Sequence, residues 1–334
     1  MRRIYCIILL ISGLQLHAQD PNFSQFFSSP LTLNPALTGK FDGVLRVAGN
    51  YRNQWPTINN AFITGTASMD FGILKNAIPE FDQFGVGIMA LSDKSGNGAI
   101  QNNNLSLSTA YHKSLDENGY HQIGLGFQGT FVNKRLDPTK FYFEDQLTAN
   151  GWTGITSEIF MQDQVSVSYY DMNIGLLYTG SDGTNNFYFG TSMYHVNRPK
   201  ESFQGGQFHL DPRVTFQGGG TLPMGMFDAF HFSAIHSRQN NHINTVFGGA
   251  YMLNLNADQT VPMNLYVGSW FRLKDAVIPY VGLEFGDFHL GATYDVNTSS
   301  LKPASNLRGG TEISLIYIKR QSDPYAKRLY CPKF

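Results

Sequence analysis

The feature that most constrains the fold is a strict alternation of apolar and polar residues in long segments of the chain. Between residues 288 and 297 every second residue is apolar, namely Phe288, Leu290, Ala292, Tyr294 and Val296. A period of two places these side chains on one face of a β-strand and the intervening polar residues on the other. Because the pattern recurs along the chain, we expect an all-β protein with two-faced strands.

Fourteen segments fit this pattern. We predict strands at residues 44–55, 60–71, 83–92, 100–112, 120–133, 164–179, 185–196, 212–222, 228–237, 242–254, 261–273, 277–286, 287–298 and 307–319. Most have about 10 residues or more, the length that a tilted strand needs to cross a membrane, whereas strands of soluble proteins average about 5–6 residues. We therefore predict a transmembrane antiparallel β-barrel of about 14 strands, with a soluble β-sandwich as the alternative.

The composition favours a barrel in a membrane. Charged residues make up only 15% of the 334 residues, well below the roughly 25% of soluble domains. The mean hydropathy is nevertheless −0.21, so the apolar residues are interleaved with polar ones. After the first 18 residues, no stretch reaches the roughly 18 consecutive apolar residues of a membrane helix.

Residues 1–18 have the features of a secretory signal peptide. Two arginines precede an apolar run from Ile4 to Leu16, and a small residue follows at Ala18. We predict cleavage between Ala18 and Gln19. Removal of the two arginines leaves 22 basic residues against 25 acidic ones, a balance that gives no support for nucleic-acid binding.

Residues 19–43 form a predicted irregular segment ahead of the first strand. The residues that disfavour a helix here are Pro21, Pro30, Asn34, Pro35 and Gly39. We expect aromatic side chains such as Phe23 and Phe26 to pin this segment, and a lumen plug is one role it could have. The barrel would then cover residues 44–319, and the polar, basic residues 320–334 would form a periplasmic tail.

The predicted connections between strands alternate in length. The longest covers residues 134–163, followed by 197–211 and 299–306. Outer-membrane barrels have short periplasmic turns and longer outer loops, which matches this asymmetry. Aromatic side chains provide anchors in protein interfaces and amides provide adaptable hydrogen bonds. The loops 134–163 and 197–211, rich in such residues, are therefore the candidate partner-contact loops.

Aromatic residues near the predicted strand ends indicate the girdles that barrels place at the two membrane interfaces. These residues are Tyr51, Trp55, Tyr111, Tyr120, Tyr178, Tyr194, Trp270, Tyr280 and Tyr317. The alternative is that Tyr and Trp are common in strands of every kind.

The chain carries little sign of catalysis. Its histidines, such as His195 and His209, have no spacing that would bring several ligands to one metal, so we expect them to be structural or solvated. Cys331 is the only cysteine of the mature chain, which excludes an intramolecular disulfide. We therefore expect no enzyme, no cofactor and no metal site.

Charged residues on predicted inward faces suggest a cluster in the lumen. Barrel closure brings the first and last strands side by side, so we hypothesise that Glu312 and Glu284 pair with Arg46 or Arg52. Such a wall could hold the N-terminal segment; the alternative is charge-satisfied side chains in a wet lumen. The residues assigned to plug or partner contact are Phe23, Phe26, Asn34, Pro35, Arg46, Arg52, Trp55, Glu284, Arg308 and Glu312.

Several motifs, taken in order and spacing, carry a family resemblance. They are DPNFSQ at 20–25, LNPA at 33–36, YRNQW at 51–55, DMNIGLLY at 171–178, HVNRP at 195–199 and GGTEISL at 309–315. With them the sequence resembles the PorP/SprF family of type IX secretion system outer-membrane proteins of the Bacteroidetes, over essentially the whole mature chain.

The resemblance implies an outer-membrane barrel, not an enzyme, that assists secretion or surface anchoring of large client proteins such as gliding adhesins. The implied partners are subunits of the secretion machine, or a client with a C-terminal secretion domain, in addition to outer-membrane lipid. Docking is favoured over conduction, because fourteen strands enclose a lumen too narrow for a folded protein once side chains and a plug occupy it. The alternatives are a channel for small or hydrophobic solutes and, third, an outer-membrane hydrolase.

Overall fold

The computed structural model describes residues 20–58, 61–74, 77–149, 151–157, 165–203, 207–256 and 261–320. The predicted signal peptide, residue 19 and the predicted tail beyond residue 320 with Cys331 lie outside these residues. Fourteen antiparallel strands close into one barrel, and each lies within three residues of its predicted bounds, so the predicted fold class is confirmed.

The barrel strands follow one another around the wall in chain order. They are β1 (Leu45–Gln54), β2 (Phe62–Ile73), β3 (Gln83–Ser95), β4 (Ile100–Ser114), β5 (His121–Leu136), β6 (Val165–Ser181), β7 (Asn186–Tyr194), β8 (Arg213–Met224), β9 (Asp228–Gln239), β10 (His242–Asn254), β11 (Met263–Arg272), β12 (Ala276–Phe285), β13 (Phe288–Asn297) and β14 (Arg308–Lys319). The seam that closes the barrel is the antiparallel pairing of β1 with β14.

The alternation of side chains separates a polar interior from an apolar exterior. In β1, Asn50 and Arg52 are buried, whereas Val47 and Tyr51 are exposed. The other strands repeat this arrangement, which is the inverse of a water-soluble protein and matches a barrel surrounded by lipid. Within the described residues, no helix is long and apolar enough to cross a membrane.

The two ends of the barrel differ in their connections. At one end, here called the long-loop end, the longest connections cover residues 137–164, 195–212 and 298–307. The described part of the first contains the 3-10 turns Pro138–Lys140 and Glu144–Gln146 and a hairpin of Leu147–Thr148 with Gly151–Trp152; the last contains the short helix Lys302–Ser305. The opposite end, where β1 begins, is the short-turn end and in such barrels faces the periplasm.

Residues 20–44, here called the N-terminal segment, precede β1. They form a 3-10 turn at Phe26–Ser28, a four-residue helix at Pro30–Leu33 and a second 3-10 turn at Pro35–Leu37. Most of their side chains are buried, and their contacts are with inward-facing residues of the wall. The segment runs from the long-loop end, at Asp20, to the short-turn end, where it joins β1.

The interior of the barrel also contains an apolar core. Phe26, Leu33 and Leu37 of the N-terminal segment pack with inward aromatic side chains of β11 and β12. The girdle prediction is therefore wrong for Tyr194, Trp270 and Tyr280, which are buried in the interior. The physical reason is the alternation of side chains along a strand. These three rings occupy positions that face the lumen, together with the polar residues of their strands.

Candidate functional site

A buried charge cluster lies at the β1–β14 seam. Arg52 and Glu312 are direct strand partners, and the Arg52 guanidinium lies 2.9 Å from Glu312 Oε2 and 2.7 Å from Asp295 Oδ2. Arg272 of β11 lies 2.8 Å from the same Asp295 oxygen. Arg52, Asp295 and Glu312 are each at most 2% exposed. Buried charges are tolerated only when paired, so these residues depend on one another.

The N-terminal segment completes this seam cluster. The backbone N–H groups of Ser24 and Gln25 donate to the two oxygens of Glu312, at 2.8 and 3.0 Å. The Ser24 hydroxyl donates to Asp295 at 2.7 Å, and Arg52 and Arg272 both donate to that hydroxyl oxygen. The segment therefore supplies hydrogen bonds that the two buried carboxylates would otherwise lack.

A second ion pair holds the other end of the segment. Arg46 binds the Asp70 carboxylate with two nitrogens, at 3.0 and 2.7 Å, across the β1–β2 pairing. Asp70 also accepts the Gly39 N–H at 2.7 Å, and Arg46 donates to the Leu37 carbonyl at 2.9 Å. Both partners of this pair thus also hold the backbone of the N-terminal segment.

The structure brings only some of the predicted charged residues together. Glu312 pairs with Arg52, but the predicted pairing of Glu284 with Arg46 or Arg52 is wrong. Glu284 pairs with Arg320 at 2.8 Å near the short-turn end. It lies on β12, three strands from β1, and three strand spacings amount to about 14 Å.

Two further predicted site residues lie away from the lumen cluster. Arg308 is exposed, so its predicted inward orientation is wrong; a register shift between Asp295 and Val296 interrupts the alternation opposite it. Trp55 follows β1 at the long-loop end and packs edge-on against Phe62, with ring centroids 5.6 Å apart.

Asn34 attaches the middle of the segment to the wall. Its side-chain N–H groups donate to the carbonyls of Leu176 and Thr191, at 2.9 and 3.2 Å, on the paired strands β6 and β7. Its Oδ1 accepts the Ala36 N–H at 2.8 Å, which caps the 3-10 turn that begins at Pro35. One side chain therefore both shapes the segment and binds it to the barrel.

This contact requires wall residues without side chains, here called the glycine cradle (Gly126, Gly175 and Gly190). A Cβ at Gly175 would lie 1.8 Å from Asn34 Oδ1, and one at Gly126 would lie 2.2 Å from the backbone nitrogen of Ala36. A Cβ at Gly190 would lie 3.0 Å from the Asn34 amide nitrogen. Only glycine permits so close an approach of one backbone to another.

Aromatic rings fill the lumen beside this attachment. The Phe27 ring lies 4.9 Å from the Trp270 ring and 5.6 Å, edge-on, from the Tyr280 ring. Phe26 is buried in the adjoining core, and Phe23, which precedes Ser24 of the seam cluster in the chain, is also buried. Aromatic side chains of the N-terminal segment therefore pack against aromatic side chains of the barrel wall.

The outer end of the segment is held by Asp20. Its carboxylate lies 2.7 Å from His195 Nε2 and 3.4 Å from Arg213 Nε, and the opposite nitrogen of His195 lies 3.0 Å from Asp171. Burial would raise the pKa of Asp20, but the charges of His195 and Arg213 hold it well below its usual range. Burial would lower the pKa of His195, but Asp20 and Asp171 raise it to about 9. Both groups are therefore charged at neutral pH.

Sequence reasoning missed this contact and expected His195 to be an isolated histidine. The signal was the HVNRP motif, in which Asn197 also accepts the Met172 N–H at 3.0 Å and donates to the Tyr170 carbonyl at 2.8 Å. Asp20 and His195 are 175 residues apart, so no local pattern could pair them. Within the residues that the structure describes, no group of His, Cys, Asp and Glu side chains forms a metal site.

Solved structures with similar folds are bacterial barrels at very low sequence identity. The Pseudomonas putida toluene transporter TodX has 10% identity and a TM-score of 0.48, with 91% of this chain and 98% of that chain covered. BamA from Haemophilus ducreyi has 8% identity and a TM-score of 0.44, with 83% and 70% covered. These likenesses concern the barrel fold alone, and no curated protein sequence matches the chain.

One family model matches, described as type IX secretion system membrane protein PorP/SprF, over residues 15–317. This match includes the N-terminal segment and all but the last residues of β14, and it confirms the resemblance found in the motifs. The fold is a closed barrel of fourteen antiparallel strands. The chain therefore belongs to the PorP/SprF family of type IX secretion system membrane proteins.

Proposed function

We propose that this outer-membrane barrel serves type IX secretion by docking a large client protein or subunits of the secretion machine, and that it does not conduct them. The observation that carries the proposal is the burial of the N-terminal segment among inward-facing residues from one end of the lumen to the other. A barrel with an occupied lumen has its two ends available for binding.

The energetics argue that the segment stays in place as a plug. Its withdrawal would remove the Ser24 and Gln25 hydrogen bonds from Glu312 and the Gly39 hydrogen bond from Asp70. Buried charged groups that lose partners cost several kcal/mol. Withdrawal would also expose the aromatic core around Phe27, so an open channel would require disruption of the interior.

The loop of residues 137–157 is the proposed docking surface. Tyr142, Trp152 and Ile155 are 82%, 57% and 76% exposed, and the Tyr142 and Trp152 rings meet edge-on at 5.6 Å. The loop is organised by Asp145, which accepts the Thr156 hydroxyl at 2.9 Å. Exposed aromatic side chains on an ordered loop are the usual anchors of protein interfaces.

The test is affinity purification of the tagged protein from native outer membranes in mild detergent. We expect a large exported protein with a C-terminal secretion domain, or type IX subunits, to co-purify. The double variant Tyr142→Ala/Trp152→Ala should lose them while its melting temperature stays unchanged, because both rings are exposed. Lys302→Ala, on another loop of the same end, is the matched control.

The channel alternative makes the opposite prediction. If the barrel is recovered alone and conducts ions steadily in a planar bilayer, the docking proposal is wrong. If partners co-purify but the loop variant retains them, docking stands and the contact surface lies elsewhere.

A further inference from the structure

A cavity of about 350 Å³ lies on the outer wall of the barrel at the long-loop end. It is lined by Asp211, Pro212, Val214, Arg238, Asn240 and Asn241. Asp211 and Pro212 immediately precede β8 and Val214 lies at its start. Arg238 lies at the end of β9, and Asn240 and Asn241 form the turn between β9 and β10. The cavity is separate from the lumen, because Arg238 is exposed whereas its neighbours Ser237 and Gln239 are buried.

The height of the cavity along the wall matches the boundary between lipid tails and headgroups. Arg238 pairs with Val214 on one side and Ile243 on the other, and all three face outward. The next outward positions towards the membrane centre on β9 are His236 and then Ala234, which lies beside the exposed Phe247. Arg238 is thus a single cation between outward apolar side chains near the end of its strand, the level at which an outer-membrane barrel meets headgroups.

Several polar atoms of the cavity already have partners, and one cation has its outer nitrogens available. Arg238 Nε donates to the Asn240 carbonyl at 3.1 Å. Asp211 is balanced by Arg198 at 3.3 Å and accepts a hydrogen bond from Asn240 Nδ2 at 2.9 Å. For the terminal guanidinium nitrogens of Arg238, the described residues provide no hydrogen bond.

We propose that this cavity binds the phosphorylated sugar headgroup of an outer-leaflet glycolipid. A guanidinium forms paired hydrogen bonds with phosphate oxygens, which suits Arg238. Amides and a carboxylate satisfy sugar hydroxyls, which suits Asn240, Asn241 and Asp211. Val214 and Ile243 lie where the first carbons of an acyl chain would pass, and the volume falls in the range of ligand pockets. The inference does not depend on the docking role.

The test is native mass spectrometry of the purified barrel in neutral detergent, titrated with diphosphorylated lipid A. We expect Arg238→Gln to weaken lipid A binding about tenfold, the effect of one lost charge-assisted contact. Arg135→Gln is the matched control, because Arg135 is also an exposed, outward arginine at the long-loop end, with its Nε bound to Asn133 at 3.0 Å. Lys319→Gln, at the opposite end, is the second control; both controls should bind normally.

Titrations with other lipids and with inorganic phosphate identify the ligand. Phosphatidylcholine and dephosphorylated lipid A should bind at least tenfold more weakly than diphosphorylated lipid A, and inorganic phosphate alone should not displace it. Equal losses in Arg238→Gln and Arg135→Gln would mean general surface charge and would overturn the proposal. Equal binding of phosphatidylcholine would also overturn it, and efficient displacement by inorganic phosphate would assign the cavity to the free ion.

Discussion

The N-terminal segment is held in two different ways on two sides of the lumen. At the β1–β14 seam, charged side chains hold it: Arg52, Asp295 and Glu312 are fully buried and bind Ser24 and Gln25. On the opposite wall, β5–β7, shape holds it: the glycine cradle lets Asn34 reach the carbonyls of two paired strands.

The difference teaches what each side tolerates. At the seam, none of the buried charges can lose a partner without a large penalty. At the cradle no charge is involved, but the addition of a single carbon would displace the segment. The seam therefore specifies the segment by electrostatics and the cradle by the absence of side chains.

The largest effect is expected at the seam. Arg52→Ala removes the cation that both Asp295 and Glu312 bind, and we expect a loss of about 3–5 kcal/mol in the free energy of unfolding. Urea unfolding of the wild-type and variant barrels in lipid vesicles measures this difference in free energy. The matched control is Arg320→Ala, whose partner Glu284 lies at the edge of the wall and whose own side chain is 45% exposed; such a pair contributes about 0–1 kcal/mol. Equal effects of the two changes would contradict the electrostatic account of the seam.

The second-largest effect is expected from a substitution in the glycine cradle. Gly175→Ala should destabilise the barrel by about 1–3 kcal/mol, because its Cβ would overlap Asn34 Oδ1. Gly129→Ala is the control on the neighbouring strand β5, since a Cβ there meets no atom within 4 Å. Combination of Gly175→Ala with Asn34→Ala should cost less than the sum of the two single changes, which a double-mutant cycle would measure. Additive effects would show that the two residues do not compete for the same space.

A smaller, local effect is expected at Asp20. Its lowered pKa means that its contribution is present above about pH 4 and is lost as the pH falls further. The pKa of His195, raised to about 9, means that its contribution is complete below about pH 6.5 and is lost as the pH rises through 9. The outer end should therefore loosen between pH 7 and pH 10, whereas the cradle should not.

Hydrogen exchange, corrected for its intrinsic pH dependence, measures this difference. The Asp20 amide, which donates to Gln239 Oε1 at 3.2 Å, should exchange about tenfold faster at pH 10 than at pH 7. The amides of Ser24 and Gln25, which donate to Glu312 at the seam, and those of residues 34, 36 and 37 should keep their protection. In His195→Gln the pH dependence of the Asp20 amide should disappear. Persistence of that dependence in the variant would assign it to another group.

Much of the wall could be predicted from the sequence, because strand alternation is local. The pattern in β13 identified its two faces, and barrel closure was enough to predict that Glu312 pairs with Arg46 or Arg52, of which the register selects Arg52. The partner of Arg46 was not predictable in the same way, since several inward acids compete and only the register of β2 selects Asp70. Prediction from pattern also could not tell the inward rings of Trp270 and Tyr280 from the rings of an interfacial girdle.

The amino-acid sequence by itself predicted about fourteen strands, the two faces of most of them and the family, because these depend on periodicity and on ordered motifs. Only the tertiary structure decided which residues meet inside the barrel. Asp20 binds His195 and Asn34 enters the glycine cradle because closure of the sheet brings distant segments together. A side-chain period defines a face, but contacts across a closed lumen depend on register and strand order, which no local pattern contains.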